Sequence, residues 1–175
     1  LNAEQVVAAS EIGDALTEQG MIQLQRILLP TDFSEYSAAA RKYACAFADQ
    51  FQAELHLLHV IQDLAPLVPE PGAALAPPID YLRELEQNAQ AMLGRALDAE
   101  WAVGKKITRV VRQGPPFLEI IRYAREANID LIVLGTHGRT GLAHVLMGSV
   151  AEKVVRKAPC PVLSVRHPEH EFIAP

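Results

Sequence analysis

The stretch GTHGRTGLAHVLMGS, residues 135–149, gathers the residue types best suited to chemistry in this chain: Gly135, Gly138, Gly141 and Gly148, with Arg139 among them and Ser149 directly after the last. A glycine such as Gly138 lets the backbone bend sharply or approach another group more closely than a Cβ would permit. Gly148 and Ser149 stand where a helix is predicted to begin. A helix start presents unpaired amide N–H groups and the positive end of the helix dipole, which suit an anion such as phosphate, and the Ser149 hydroxyl adds a donor. A turn leading into an N-capped helix would use the same residues without a ligand. The number of glycines, together with Ser149 and Arg139, favours phosphate binding. The loop is not a P-loop, because no Gly-Lys-Ser/Thr closes it, and it is not the dinucleotide fingerprint, which would follow the first strand.

Other polar candidates are fewer. Pro30-Thr31-Asp32 follows the first apolar run, and Asp32 has two readings: a ligand contact, or an organiser of the helix that Ser34 begins. His56 and His59 lie three apart on a predicted strand, so they face opposite sides and cannot share a metal. His137 and His144 fall in the glycine loop as solvated rim residues, and His167 and His170 in a frayed tail. No dedicated metal cage or catalytic arrangement is visible. Cys45 and Cys160 read as two small buried hydrophobes, not as a disulfide framework or a Cys-x-x-Cys site.

The elements that must position these residues follow from the hydrophobic pattern. Apolar runs at Ile27–Leu29, Glu54–Ile61, Ile107–Gln113, Asp130–Gly135 and Pro161–Arg166 predict five strands. Between them, Ser34 caps a helix whose stripe is Tyr36, Ala40, Tyr43, Ala44, Phe47 and Phe51. A long helix is predicted from about Asp80 towards Ala102, on a stripe that includes Tyr81, Leu85, Ala89, Met92 and Leu93. Pro115 and Pro116 open a third helix with Phe117, Ile120, Ile121 and Ala124 on its apolar face, and Gly148 to Lys157 forms a fourth. The Pro- and Ala-rich residues 62–79 form a long loop. Strands alternating with helices imply an α/β fold, a doubly wound, open five-stranded parallel sheet flanked by four helices, with right-handed crossovers. Ligands of such sheets bind beyond the carboxyl ends of the strands where winding reverses. That rule independently selects Pro30-Thr31-Asp32, Val60 and the loop from Gly135.

Composition bounds the rest. At 175 residues the chain holds one domain. A formal charge of −5 and no Lys/Arg cluster give no electrostatic reason to bind nucleic acid or anionic lipid. No apolar run is long enough to span a bilayer, and residues 1–20 lack the pattern of a signal peptide, so the cytoplasm is the expected location. The expected organisation is an N-terminal extension, 1–20, a domain over 21–167 and a short tail, 168–175.

The spacing G-x2-G-x9-G-S from Gly135 to Ser149 resembles the ATP-binding signature of the universal stress protein family. ILLPTDFSEYS, LLHV, QGPP, DLIVLGTHG and APCPVLSVR also resemble that family, and the likeness spans residues 23–166. It implies a Rossmann-like fold of the adenine nucleotide alpha hydrolase type that binds ATP, with Mg or Mn carried on the phosphates. By position it implies that Pro30, Thr31 and Asp32 lie beside adenine and ribose, that Val60 faces adenine, and that Leu134 and Gly135 underlie the nucleoside. Gly138, Arg139, Gly148, Ser149 and Val150 would surround the phosphates. It further implies a homodimer through the strand near Pro161–Val165, an apolar edge that would otherwise stay exposed. The expected function is nucleotide-dependent regulation or sensing in a stress response, with at most slow hydrolysis. A nucleotide-free homodimeric interaction module and an ATP-using enzyme with an unidentified acceptor are the alternatives.

Overall fold

A computed structural model describes residues 22–62, 79–136 and 147–166. Its strands are β1 (Arg26–Pro30), β2 (Glu54–Ile61), β3 (Ile107–Gln113), β4 (Leu131–Gly135) and β5 (Val162–Val165). The helices are α1 (Glu35–Phe51), α2 (Ile79–Arg95), α3 (Ala99–Ala102), α4 (Pro116–Glu126) and α5 (Ser149–Lys157). All strand pairs are parallel, in the order β3-β2-β1-β4-β5. The chain therefore winds outward from β1 to β3, returns to lay β4 against the other side of β1, and winds outward again. Winding reverses between β1 and β4.

Continuous apolar runs make strands that can be buried on both faces, and Ile27, Leu28, Leu29, Ile132 and Val133 are 0–1% exposed. On one face, Ile27, Leu29, Leu55, Leu57 and Val133 pack under α1 and α2. On the other, Leu28, Leu58, Ile132 and Leu134 pack under α4 and α5. The five parallel strands stand as the sequence predicts.

The helices and the cysteines differ from the expectation in three respects. Asp98 accepts a hydrogen bond from the Trp101 amide at 2.9 Å and so starts α3 afresh, which breaks the expected helix from Asp80 to Ala102 in two and makes five helices among the described residues. The buried stripe of α1 consists of Ser37, Ala39, Ala40, Ala44 and Ala48, whereas Tyr43 is exposed, as are Tyr81 and Met92 of α2. Small residues let the α1 backbone approach the sheet closely, and the aromatic residues sit at its margins. Cys45 and Cys160 are half-buried, not buried, and burial still pushes both thiols up, Cys45 to about 11, so neither is a reactive thiolate at neutral pH.

Two polar anchors hold the sheet. The Asp130 Oδ2 accepts from the amides of Gln25 (2.8 Å) and Arg26 (2.9 Å), which joins the start of β4 to the start of β1. Asp130→Ala strands both donors and is expected to cost about 2 kcal/mol in urea unfolding, whereas a loss under about 0.5 kcal/mol would show that water replaces the carboxylate.

His56, 6% exposed, has its Nδ1 2.7 Å from the Tyr123 hydroxyl, while its Nε2, without a hydrogen bond of good geometry, lies 3.4 Å from Glu54 Oε1. Desolvation lowers its pKa below the ordinary 6.5, against the partial opposition of Glu54. A lowered folded pKa means that the unfolded chain takes up the proton first. The stability present above pH 6.5 is then lost as pH falls towards the folded value. Urea unfolding between pH 7.5 and 5.5 should show this slope, and His56→Phe should flatten it. An equally steep slope in the variant would assign the effect to other groups.

Candidate functional site

The carboxyl end of β1 turns into α1 through a tightly bonded corner. The Thr31 amide donates to the Leu58 carbonyl at 2.9 Å, its Oγ1 accepts from the Phe33 amide at 3.0 Å, and its carbonyl accepts from His59 Nδ1 at 2.8 Å. That last bond fixes the proton on His59 Nδ1, since a carbonyl can only accept. Phe33 adopts a left-handed φ of 64°, unusual for a bulky residue, and its ring lies 4.5 Å from that of His59. The strain of this conformation is held in place by the surrounding bonds.

Asp32 Oδ1 accepts from the Ser34 amide (3.1 Å) and hydroxyl (2.6 Å), and Ser34 Oγ in turn accepts from the Ser37 amide at 3.3 Å. Asp32 thus takes the structural part that the sequence allowed it, organising the start of α1. The same bonds fix its carboxyl group at the mouth of the crevice.

Beside this corner stands the end of β4. Leu134 is 6% exposed and faces the α4/α5 core, so only its backbone is available to a ligand at the strand end. Gly135 lies against the first turn of α1: a Cβ there would sit 2.7 Å from the Tyr36 carbonyl oxygen. Gly135 therefore serves close packing of helix on sheet. Next, the Thr136 amide donates to the Val165 carbonyl at 2.9 Å, and the Thr136 carbonyl accepts from the Gly148 amide at 2.7 Å. This pair of bonds draws the start of α5 to the ends of β4 and β5.

Gly148 is the N-cap of α5 and provides no side-chain cap. The following amides, at Ser149 and Val150, begin an exposed helical turn with no intrahelical acceptor within reach. Gly148 has φ −67° and ψ 153°, which any residue adopts, so its conformation does not require glycine. Val60, two residues beyond the Leu58 that pairs with Pro30, is half-buried on the α4/α5 side.

The structure thus brings Pro30, Thr31, Asp32, Leu134, Gly135, Gly148, Ser149 and Val150 to the carboxyl ends of the central strands β1 and β4, with Val60 on the neighbouring β2. Gly138, Arg139, Gly141, His137 and His144 lie outside the described residues, as do residues 1–20, His167 and His170. His56 and His59 point to opposite faces, as their spacing required. Among the described residues no group of His, Cys, Asp and Glu could hold a metal ion, and no helix is long and apolar enough to cross a membrane.

Sequence reasoning missed His59, Phe33, Ser37 and Thr136. His59 holds the Thr31 carbonyl and Ser37 Oγ lies 3.1 Å from Thr31 Oγ1, contacts that no local pattern announces. The parity of β2 was the one available signal: it places His59 on the α1 face.

An open parallel sheet whose winding reverses between two central strands is a Rossmann-like α/β architecture with its crevice at the strand ends. Family comparison gives the finer class. The universal stress protein family matches residues 23–166, and the chain belongs to that family. A universal stress protein of Methanocaldococcus jannaschii is 36% identical over 158 residues, covering 90% of this chain and 91% of that protein. The universal stress protein UspA of Lactobacillus plantarum superposes with a TM-score of 0.71 at 32% identity, over 83% of this chain and all of that one. A universal stress protein solved in complex with cAMP superposes with a TM-score of 0.61 at 26% identity, over 82% of this chain and 98% of that one.

Proposed function

We propose that this chain is a nucleotide-dependent regulatory or sensing module that binds ATP at the β1/β4 crevice. The observation that carries this reading is the juxtaposition, at the carboxyl ends of β1 and β4, of the Thr31–Ser34 corner and the start of α5, whose N-cap Gly148 provides no side-chain cap. The α5 amides and the Ser149 hydroxyl suit phosphate oxygens, and the fixed Asp32 carboxylate suits a ribose hydroxyl or a bridging water. The binding of cAMP by a relative of the same fold supports an adenine nucleotide as ligand. Gly138, Arg139 and Val150 would complete the phosphate surroundings, with Val60 and the backbone of Pro30, Leu134 and Gly135 against the nucleoside. Mg or Mn would arrive on the phosphates, whose oxygens suit such hard cations. Asp32, already committed to organising the start of α1, is the described candidate for orienting water, which favours binding with at most slow hydrolysis.

Ligand linkage tests the proposal. At ATP one hundredfold above its dissociation constant, stability should rise by about 2.7 kcal/mol, readable as a higher melting temperature. No shift at millimolar Mg-ATP would contradict it.

We further propose a cytoplasmic homodimer joined at β5, which is the last strand in the sheet and pairs on one side only among the described residues. Val165 is 6% exposed and belongs to the core, so a charge there would test folding instead of association. The exposed Ser164 is the better probe. Ser164→Lys should yield monomer in analytical ultracentrifugation, and an unchanged dimer would move the interface elsewhere.

A further inference from the structure

A cavity of about 350 Å³ opens between α1 and α2 on the face of the sheet opposite Val60 and Leu134. Its floor is Leu29 and Leu57, and Ala38, Met92 and Ala96 form apolar walls. Three hydroxyls, those of Thr31, Ser34 and Ser37, stand along one side. Phe33 and two cations, Arg41 and Arg95, complete the lining, and no carboxylate is among the described lining residues. The Arg41 guanidinium is held in place by a hydrogen bond from its NH1 to the Ala96 carbonyl, and neither arginine has an ion pair among the described residues.

We infer that this cavity binds a small amphipathic monocarboxylate, with its hydrocarbon body over Leu29 and Leu57 and its carboxylate towards Arg41 and Arg95. An apolar hollow of this size with a few convergent polar groups is the usual form of a small-ligand site. Its charge is of one sign, and a guanidinium matches a carboxylate by paired, charge-assisted N–H donors. A bare inorganic anion would leave the apolar floor uncovered, and a neutral hydrocarbon would leave the arginines without a counter-charge. The apolar floor and the two arginines between α1 and α2 carry the inference separately from the nucleotide reading. The cavity shares only the Thr31–Ser37 corner with the crevice.

The test uses the full chain and octanoate, a probe of about eight carbons chosen to fill a cavity of this size. Saturable binding by calorimetry is expected, tightening about fourfold for each methylene from hexanoate to octanoate, the equivalent of ~0.8 kcal/mol for a buried CH₂. Arg95 is exposed, so Arg95→Glu should leave the fold intact while weakening binding at least tenfold. Ala38→Leu fills the hollow and should abolish binding. Should that variant fail to fold, nuclear Overhauser contacts from the octanoate methyl to the Met92 methyl in the unmodified protein locate the ligand instead. Absence of saturable binding, equal affinity for octanol, or contacts away from Met92 would overturn the inference. Stoichiometric displacement of octanoate by ATP would also overturn it, by making the hollow part of the nucleotide crevice.

Discussion

Gly135→Ala is expected to destabilise the protein by about 3 kcal/mol, the upper end of what overpacking costs. The added Cβ would lie 2.7 Å from the Tyr36 carbonyl oxygen, 2.8 Å from its carbon and 3.3 Å from the Ser37 amide nitrogen. These are backbone atoms in the first turn of a helix, so no side chain can rotate out of the way. Relief requires α1 to lift from the sheet, and its start is tied to Asp32 and Ser34. The variant should therefore lose order at the Thr31–Ser34 corner as well as stability. Gly94→Ala is the internal control. Gly94 lies in α2 with nothing within 4 Å of a new Cβ, so the same change should stabilise by about 0.5–1 kcal/mol. Urea unfolding of the pair measures both signs. Similar stabilities for the two variants would mean that the helix–sheet approach at Gly135 is slack.

The second large effect concerns Ser149→Asp. A carboxylate in the first turn of α5 interacts favourably with the helix dipole, so stability should rise by about 0.3–1 kcal/mol. The same charge repels a phosphate approaching those amides, and nucleotide affinity should fall at least a hundredfold, a loss of about 2.7 kcal/mol or more. Opposite signs for stability and binding separate a ligand site from a merely capped helix. If binding persists at the original affinity, the phosphates do not sit at the start of α5.

Much of this arrangement was legible in the chain. Short unbroken runs such as Ile27–Leu29 and Leu131–Leu134, bounded by turn residues and alternating with helical stripes, read as buried strands, and Ser34 caps α1 as its position predicts. The crevice followed from topology, because winding reversal puts the ends of β1 and β4 side by side. What local patterns could not supply were interactions between distant segments. Asp98 divides the expected long helix because its carboxylate is an equally good cap, a competition that periodicity does not reveal. Gly135 looks like a loop glycine in sequence, yet its described contact is with the α1 backbone. Leu134 reads as a strand-end residue under a ligand, but strand parity turns its side chain into the α4/α5 core. The bond from His59 to the Thr31 carbonyl joins residues 28 apart and left no trace in either segment.

Calorimetric titration of the nucleotide-stripped full chain with Mg-ATP tests the central claim most directly, with the Gly138→Val, Gly148→Val double variant alongside it. Added side chains at those positions should block close approach of phosphate to the backbone. Saturable binding near one ATP per chain is expected, and it should disappear in the folded double variant. An unmodified protein that shows no binding at millimolar ATP, or a folded double variant that binds equally well, would contradict it.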